Sequence, residues 1–237
     1  MKRTDSISGA GKKSEKRKPF IGYYRSWVVL TYLSAVSAIV GMYFALSGNI
    51  VLAMICLMIS GLCDMLDGPA ARRKKRNERE KGYGIQIDAL ADLVSFGVFP
   101  AVIGFALNVI DTIHGGTSLG HVIYITIASL YILAALIRLA YFNVIEIEIQ
   151  SKKEKRKYYE GMPVTFVSLL IPLAYSICLI INVSLASIYP AMLLIIAVLF
   201  ITKVKVPKIR GRYLWVFLLA GLPIAVFLIW SIGAWLR

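Results

Sequence analysis

The chain has 237 residues, of which 58% are hydrophobic and 17% are charged, and its mean hydropathy is +0.72. This composition excludes an ordinary soluble domain and predicts a helical bundle embedded in a membrane. The net charge is +14, but the sequence shows no soluble domain on which this charge could form a nucleic-acid-binding surface. We therefore expect no nucleic-acid partner. Cys56, Cys63 and Cys178 lie in apolar segments without ligand spacing, which predicts neither a disulfide framework nor a zinc site.

Residues 1–25 form a polar, basic tail that we expect to be solvated. It is unlike a cleavable signal peptide, whose charged start is short and whose apolar core ends at a small-residue cleavage site. A lysine or arginine near an anionic lipid surface contributes about 1 kcal/mol, so the tail has a supplementary attraction to headgroups.

Seven apolar runs follow the tail, and each except the sixth is near the roughly 20 residues that cross a bilayer. They span 27–47, 50–70, 84–108, 121–144, 162–182, 187–202 and 213–235. Gly221 and Pro223 interrupt the last run, which leaves a kinked span and a shallow hairpin both open. We therefore predict an all-α integral membrane protein, a bundle of about seven transmembrane helices.

The placement of basic residues predicts the orientation of this bundle. Lys and Arg are concentrated in four regions, with 8 before residue 27, 7 in 72–81, 5 in 152–157 and 5 in 203–212. The other connections, 48–49, 109–120 and 183–186, contain none. Because cytoplasmic loops carry the excess of Lys and Arg, we expect the amino terminus and the three basic connections on the cytoplasmic side.

Within or at the edge of the apolar runs the sequence places four acidic residues: Asp64, Asp67, Asp88 and Asp92. A charge near the bilayer centre costs about 2.5–3.5 kcal/mol on insertion scales, so four carboxylates in two adjacent helices need a partner, water or metal. Buried ion pairs with Arg72 and Arg73 are an alternative, but they leave at least two carboxylates unpaired. We therefore favour a metal site.

Helical spacing predicts that these carboxylates converge. One face of the second helix carries Asp64, Asp67, Gly68 and Ala71, and one face of the third carries Gly84, Asp88 and Asp92. Small residues let membrane helices approach closely, so the two faces are expected to meet across a narrow gap. All-oxygen ligation selects hard cations such as Mg²⁺, Mn²⁺ or Ca²⁺, and Mg²⁺ usually shares its shell with substrate phosphates. The sequence thus predicts a phosphate-bearing substrate at the inner membrane face.

The pattern Asp64-x2-Asp67-Gly68-x2-Ala71-Arg72, followed by Gly84-x3-Asp88-x3-Asp92, resembles the signature of the CDP-alcohol phosphatidyltransferases. Eleven residues separate Arg72 from Gly84, more than is usual in that family, and the insertion falls in a charged loop. The resemblance implies a six-helix core in a membrane domain at 26–202, with a basic loop and C-terminal membrane segment at 203–237. It also implies two bound ions, Mg²⁺ or Mn²⁺, held by the four aspartates, with Asp92 as general base.

By the same resemblance, CDP binds at the signature residues and at a polar position of the first helix: Asp64, Gly68, Ala71, Arg72, Gly84 and Thr31. Interhelical hydrogen bonding explains Thr31 about as well. Arg138 is the one basic residue inside a run. It lies in the segment RLAYFNV, which resembles a family segment, and this favours contact with a phosphate or an acceptor carboxylate over snorkelling to the headgroups.

The segments IQIDALADLVSFGVFPA, RLAYFNV and EGMPV resemble the phosphatidylserine synthase branch of the family. That branch implies transfer of a phosphatidyl group from CDP-diacylglycerol to L-serine, a homodimer, and a multi-pass protein of the plasma membrane with its active site on the cytoplasmic side. Glycerol phosphate, inositol phosphate or another alcohol is the alternative acceptor. A cation transporter is the alternative of another class, but the repeated halves and broken helices typical of transporters are absent from the sequence.

Overall fold

The computed structural model describes residues 21–25, 27–72, 77–113, 118–152, 158–203, 205–207 and 212–235. Its helices, in chain order, are α1 (Val29–Leu46), α2 (Ile50–Arg72), α3 (Glu78–Asp92), α4 (Phe99–Ile113), α5 (Ser118–Lys152), α6 (Val167–Ile181), α7 (Leu185–Ile201) and α8 (Arg212–Trp235). A π-helical segment, Leu93–Val98, joins α3 to α4, and a 3₁₀ turn, Val164–Phe166, precedes α6. The prediction of an all-α membrane protein is confirmed.

Five stretches are long and apolar enough to cross a membrane: Val29–Leu46, Ile50–Gly68, Glu78–Asn108, Gly120–Glu148 and Val164–Ile181. Two shorter apolar helices, Leu185–Ile201 and Phe217–Ser231, account for the sixth and seventh predicted runs. The last run lies in one continuous helix that contains Pro223, so the shallow hairpin is wrong. The chain is a multi-pass membrane protein.

The third helix begins six residues before the apolar run that predicted it. The backbone N–H of Asn77 donates to Glu80 Oε2 at 3.0 Å, and Glu78 and Glu80 both lie in the first turn. Acidic side chains in the first turn interact favourably with the helix dipole, and the Glu80 carboxylate gives the Asn77 N–H a hydrogen-bond acceptor. Hydropathy alone missed this start because the first turn is charged.

Short side chains allow α1, α2 and α4 to pack closely. A Cβ atom on Gly41 of α1 would lie 2.2 Å from a ring carbon of Phe99 and 2.7 Å from the Cβ of Cys56. Ala38 and Ala45, one turn to either side, have no exposed surface. This contact is typical of membrane helices, where small residues let backbones approach.

Tyrosine hydroxyls stabilise the bend between α3 and α4. Pro100 has no N–H group, so the carbonyl of Phe96 loses its helical partner. The Tyr131 hydroxyl of α5 donates to that carbonyl, and the Tyr189 hydroxyl of α7 donates to the carbonyl of Pro100 at 2.8 Å. The Tyr124 hydroxyl donates to the carbonyl of Ala101. The π-helical segment therefore has a fixed direction immediately after Asp92.

We expect Tyr131→Phe to destabilise the protein by about 1–3 kcal/mol, because the Phe96 carbonyl would be buried without a donor. The measurement is thermal unfolding of the purified chain in detergent. Tyr43→Phe is the matched control, since Tyr43 is 67% exposed on α1. Equal melting temperatures for the two variants would contradict the role given to this hydroxyl.

Candidate active site

Three connections and the amino-terminal segment meet at one end of the bundle, which we call the basic end. β1 (Tyr158–Glu160), between α5 and α6, pairs antiparallel with β2 (Lys205–Pro207), between α7 and α8. Arg25 Nη1 lies 3.3 Å from Glu80 Oε1, which connects the segment before α1 to the start of α3. The Tyr23 and Tyr83 rings are also in contact, with centroids 5.0 Å apart and an interplanar angle of 58°. The candidate site begins directly below this end.

The four predicted aspartates come together there. Carboxylate oxygens of Asp64, Asp88 and Asp92 all lie within 4.8 Å of one another. Asp67 is only 7% exposed and lies within hydrogen-bonding reach of Asp88. The arrangement follows from helical spacing, because Asp64 and Asp67 share one face of α2 and the other two share one face of α3.

Such close carboxylates require a compensating charge. Two unit charges within 4.8 Å repel by at least about 3 kcal/mol at an effective dielectric constant of about 20. A divalent cation removes this repulsion, and an all-oxygen donor set suits Mg²⁺ or Mn²⁺. The residues present therefore fit a hard metal ion.

Two threonines orient the aspartates of α2 from opposite sides. Thr31 Oγ1 of α1 donates to Asp67 Oδ2 at 3.0 Å, and this pair is buried. Thr165 Oγ1 of the 3₁₀ turn donates to Asp64 Oδ2 at 2.6 Å. Each carboxylate thus has one oxygen engaged by a hydroxyl.

A layer of buried serines lies beneath the aspartates. Ser34 Oγ lies 2.8 Å from Ser60 Oγ and 3.4 Å from Ser95 Oγ, and Ser60 Oγ donates to the Ser34 carbonyl at 3.1 Å. All three residues are at most 2% exposed. They connect α1, α2 and the π-helical segment one turn from Thr31, Asp64 and Asp92, which fixes these elements relative to one another.

Glycine allows the start of α6 to approach α2. A Cβ atom on Gly61 would lie 2.0 Å from Ser168 Oγ, so a larger residue does not fit. Ser168 Oγ in turn donates to the Thr165 carbonyl at 2.6 Å. The close approach brings the 3₁₀ turn within reach of Asp64.

Arg138 lies beside the acidic cluster rather than in it. Hydrogen bonds from Tyr131 to Phe96 and from Asn143 to Gln86 set the antiparallel register of α5 against α3 and the π-helical segment. Counting along the helices at 1.5 Å per residue places Arg138 at about the depth of residue 90. The Arg138 backbone is therefore at about the depth of Asp88 and Asp92.

The Arg138 side chain is 8% exposed, and its guanidinium carbon lies 4.6 Å from the Phe142 ring centroid and 5.8 Å from that of Phe200. It borders a cavity of about 220 Å³ lined by Ile137, Arg138, Tyr141, Phe142, Phe200, Ile201, Thr202 and Lys203. Gly161, with φ +76°, closes the other side, where an added Cβ would lie 2.8 Å from Arg138 Nη1. Only glycine meets both demands.

Two further predicted residues, Gly68 and Gly84, lie within the described part of α2 and α3. Gly68 and Gly84 are half-buried on α2 and α3. Ala71 and Arg72 lie in the last turn of α2, and their side chains fall outside the described part of the structure. The analysis of the sequence missed Thr165, although it borders the EGMPV segment that resembled a family branch.

Helices that cross a membrane, with four aspartates at one end of the bundle, define a membrane protein with an interfacial acidic site. A family model described as CDP-alcohol phosphatidyltransferase matches residues 28–227. The chain belongs to the CDP-alcohol phosphatidyltransferase family.

Three curated relatives refine this comparison. The CDP-diacylglycerol–serine O-phosphatidyltransferase of Saccharomyces cerevisiae is 38% identical over 124 residues, 51% of this chain and 40% of that protein. The archaetidylserine synthase of Methanothermobacter thermautotrophicus is 28% identical over 183 residues, 77% of this chain and 70% of that protein. The CDP-diacylglycerol–serine O-phosphatidyltransferase of Mycobacterium leprae is 32% identical over 134 residues, 56% of this chain and 41% of that protein. The chain therefore spans under half of two of these relatives and more than two thirds of the archaeal one.

Proposed function

We propose that this protein transfers the phosphatidyl group of CDP-diacylglycerol to the hydroxyl of L-serine, forming phosphatidylserine and CMP. The observation that carries the proposal is the convergence of Asp64, Asp88 and Asp92 at the basic end of the bundle. The names of the yeast, archaeal and mycobacterial relatives, all of which refer to serine lipids, support serine as the acceptor.

In this proposal two ions, Mg²⁺ or Mn²⁺, are held by Asp64, Asp67, Asp88 and Asp92. When bound, they supply charge neutralisation at the pyrophosphate and at the leaving CMP. The hydroxyls of Thr31 and Thr165 hold the carboxylates of Asp67 and Asp64, and the serine layer below fixes the helices that carry them. Pre-organisation of this kind lowers the reorganisation needed when substrate binds.

The nucleotide binds along the facing sides of α2 and α3. The proposed CDP contacts are Asp64, Gly68, Ala71, Arg72, Gly84 and Thr31. Half-buried Gly68 and Gly84 allow the backbone to approach a phosphate closely, and the guanidinium of Arg72 suits bidentate phosphate binding. Thr31 contributes mainly through Asp67, to which its hydroxyl already donates.

Asp92 acts as the general base. It accepts the serine hydroxyl proton while the serine oxygen forms a bond to the phosphatidyl phosphorus, and the bond from that phosphorus to the CMP oxygen breaks. Asp92 suits the role because it is the aspartate of α3 farthest from the basic end and directly precedes the π-helical segment. An acceptor entering from the cavity beside Arg138 would meet it at the same depth.

Arg138 binds the carboxylate of the acceptor. A guanidinium is a bidentate carboxylate ligand, and the aromatic rings of Phe142 and Phe200 hold its plane. The guanidinium borders the cavity of about 220 Å³, which is the proposed place for the acceptor. The basic connections support a site at the cytoplasmic face, because cytoplasmic loops carry the excess of Lys and Arg. We also propose that the protein lies in the plasma membrane and that it forms a homodimer.

Membranes containing the chain should convert CDP-diacylglycerol and labelled L-serine to labelled phosphatidylserine, with metal-dependent release of CMP. The measurement offers serine, glycerol phosphate and inositol phosphate in parallel and identifies the lipid formed. Membranes containing the Asp92→Asn variant are the matched control. If lipid forms only with a phosphorylated alcohol, that alcohol and not serine is the acceptor. If no alcohol gives CMP release, the result favours a transporter.

A further inference from the structure

Thr165 makes a contact with the acidic cluster that joins distant parts of the chain. Its hydroxyl lies 2.6 Å from Asp64 Oδ2, across 101 positions of sequence. Its own backbone carbonyl accepts the Ser168 hydroxyl at 2.6 Å. The threonine is therefore held from two sides.

The backbone around Thr165 is fixed by local features. Pro163, with φ −57°, directly precedes the 3₁₀ turn, and proline restricts φ at this point. Gly161 turns the chain with φ +76° against Arg138. Gly61 of α2 admits Ser168, so the turn lies close to α2. The position of the Thr165 backbone beside α2 is thus set by the fold.

We propose that Thr165 is a positioning residue that orients Asp64 for metal binding. A carboxylate can rotate about its terminal torsion, and donation to Oδ2 fixes that rotation. Asp64 then presents its remaining lone pairs towards Asp88 and Asp92 within the same 4.8 Å cluster. Substitution of a side chain that hydrogen-bonds to a metal ligand typically lowers metal affinity by about 10–100-fold.

The same segment also links the two halves of the site. Gly161 contacts Arg138, and Thr165, four residues later, contacts Asp64. Thr165 thereby connects the proposed acceptor pocket to a proposed metal ligand. This inference rests on the proposed function, since it assumes that the aspartates bind metal.

The test measures Mn²⁺ binding to the purified full chain by electron paramagnetic resonance, without nucleotide or serine. We expect Thr165→Val to weaken Mn²⁺ binding by about 10–100-fold, whereas Thr165→Ser, which keeps the donor, should remain within about threefold of the parent chain. Thr126→Val is the matched control, because the Thr126 hydroxyl donates only to Val122 on an exposed face of α5. Melting temperatures identify folded variants, and Thr165→Ala replaces the valine variant if that one does not fold.

Unchanged Mn²⁺ binding in folded Thr165→Val would overturn the inference. Equal losses in the serine and valine variants would also overturn it, because they would assign the effect to the methyl group. Asp64→Asn separates this inference from the proposed function. If Asp64→Asn weakens Mn²⁺ binding and Thr165→Val does not, only the role of Thr165 is wrong. If neither substitution changes binding, the metal site itself is wrong.

Discussion

Asp92→Asn is expected to lower the rate of CMP release by about 10²–10⁴-fold, the usual contribution of a general base. Asparagine has nearly the same shape but accepts no proton, so the serine hydroxyl would attack without a base. CDP binding should remain largely intact because most proposed nucleotide contacts lie on α2. The measurements are turnover with CDP-diacylglycerol and serine, and calorimetric titration with CDP.

Glu78→Gln is the matched control for this substitution. Glu78 also lies on α3, but its side chain is 90% exposed and pairs with Lys81 at the surface. An exposed ion pair contributes at most about 1 kcal/mol, so activity should be unchanged. Turnover of Asp92→Asn equal to that of Glu78→Gln would remove Asp92 from the mechanism.

Removal of divalent metal is the second expected large effect. Excess chelator should reduce CMP release to background, and added Mg²⁺ or Mn²⁺ should restore it. Without a cation, three carboxylates within 4.8 Å repel one another and also repel the negatively charged pyrophosphate. The measurement is CMP release during titration of the chelated protein with each ion.

The same titration should raise the melting temperature. A ligand that binds only the folded state stabilises it by about 2.7 kcal/mol at a concentration 100 times its dissociation constant. Circular dichroism of the chelated protein controls for unfolding. Full activity in excess chelator would refute the metal site.

Local periodicity was sufficient to predict most of the fold and the central part of the site. Apolar run length predicted the spans, and the four-residue spacing of Asp88 and Asp92 placed both on one face. The meeting of α2 with α3 was also predictable, because a short connection makes consecutive helices neighbours.

The remaining features depend on contacts between distant segments. Thr165 and Asp64 are 101 positions apart, and neither local sequence predicts their hydrogen bond. The π-helical segment Leu93–Val98 follows from Pro100 together with hydroxyls of α5 and α7, which lie far along the chain. β1 and β2 have three residues each, too few to show alternation. The small sheet that β1 and β2 form was therefore not predicted from the sequence.

The last helix, α8, packs against α2 and α6 next to the candidate site. Phe217 of α8 lies 3.3 Å from the Cβ position of Gly61, one turn before Asp64, and Gly221 packs against Leu169 and Met58. β2, just upstream of α8, supplies the edge that β1 needs. A truncated chain ending after α7 would thus expose to lipid the surfaces of α2 and α6 that α8 covers beside the candidate site. Shortened versions intended for crystallisation should therefore retain residues through this helix.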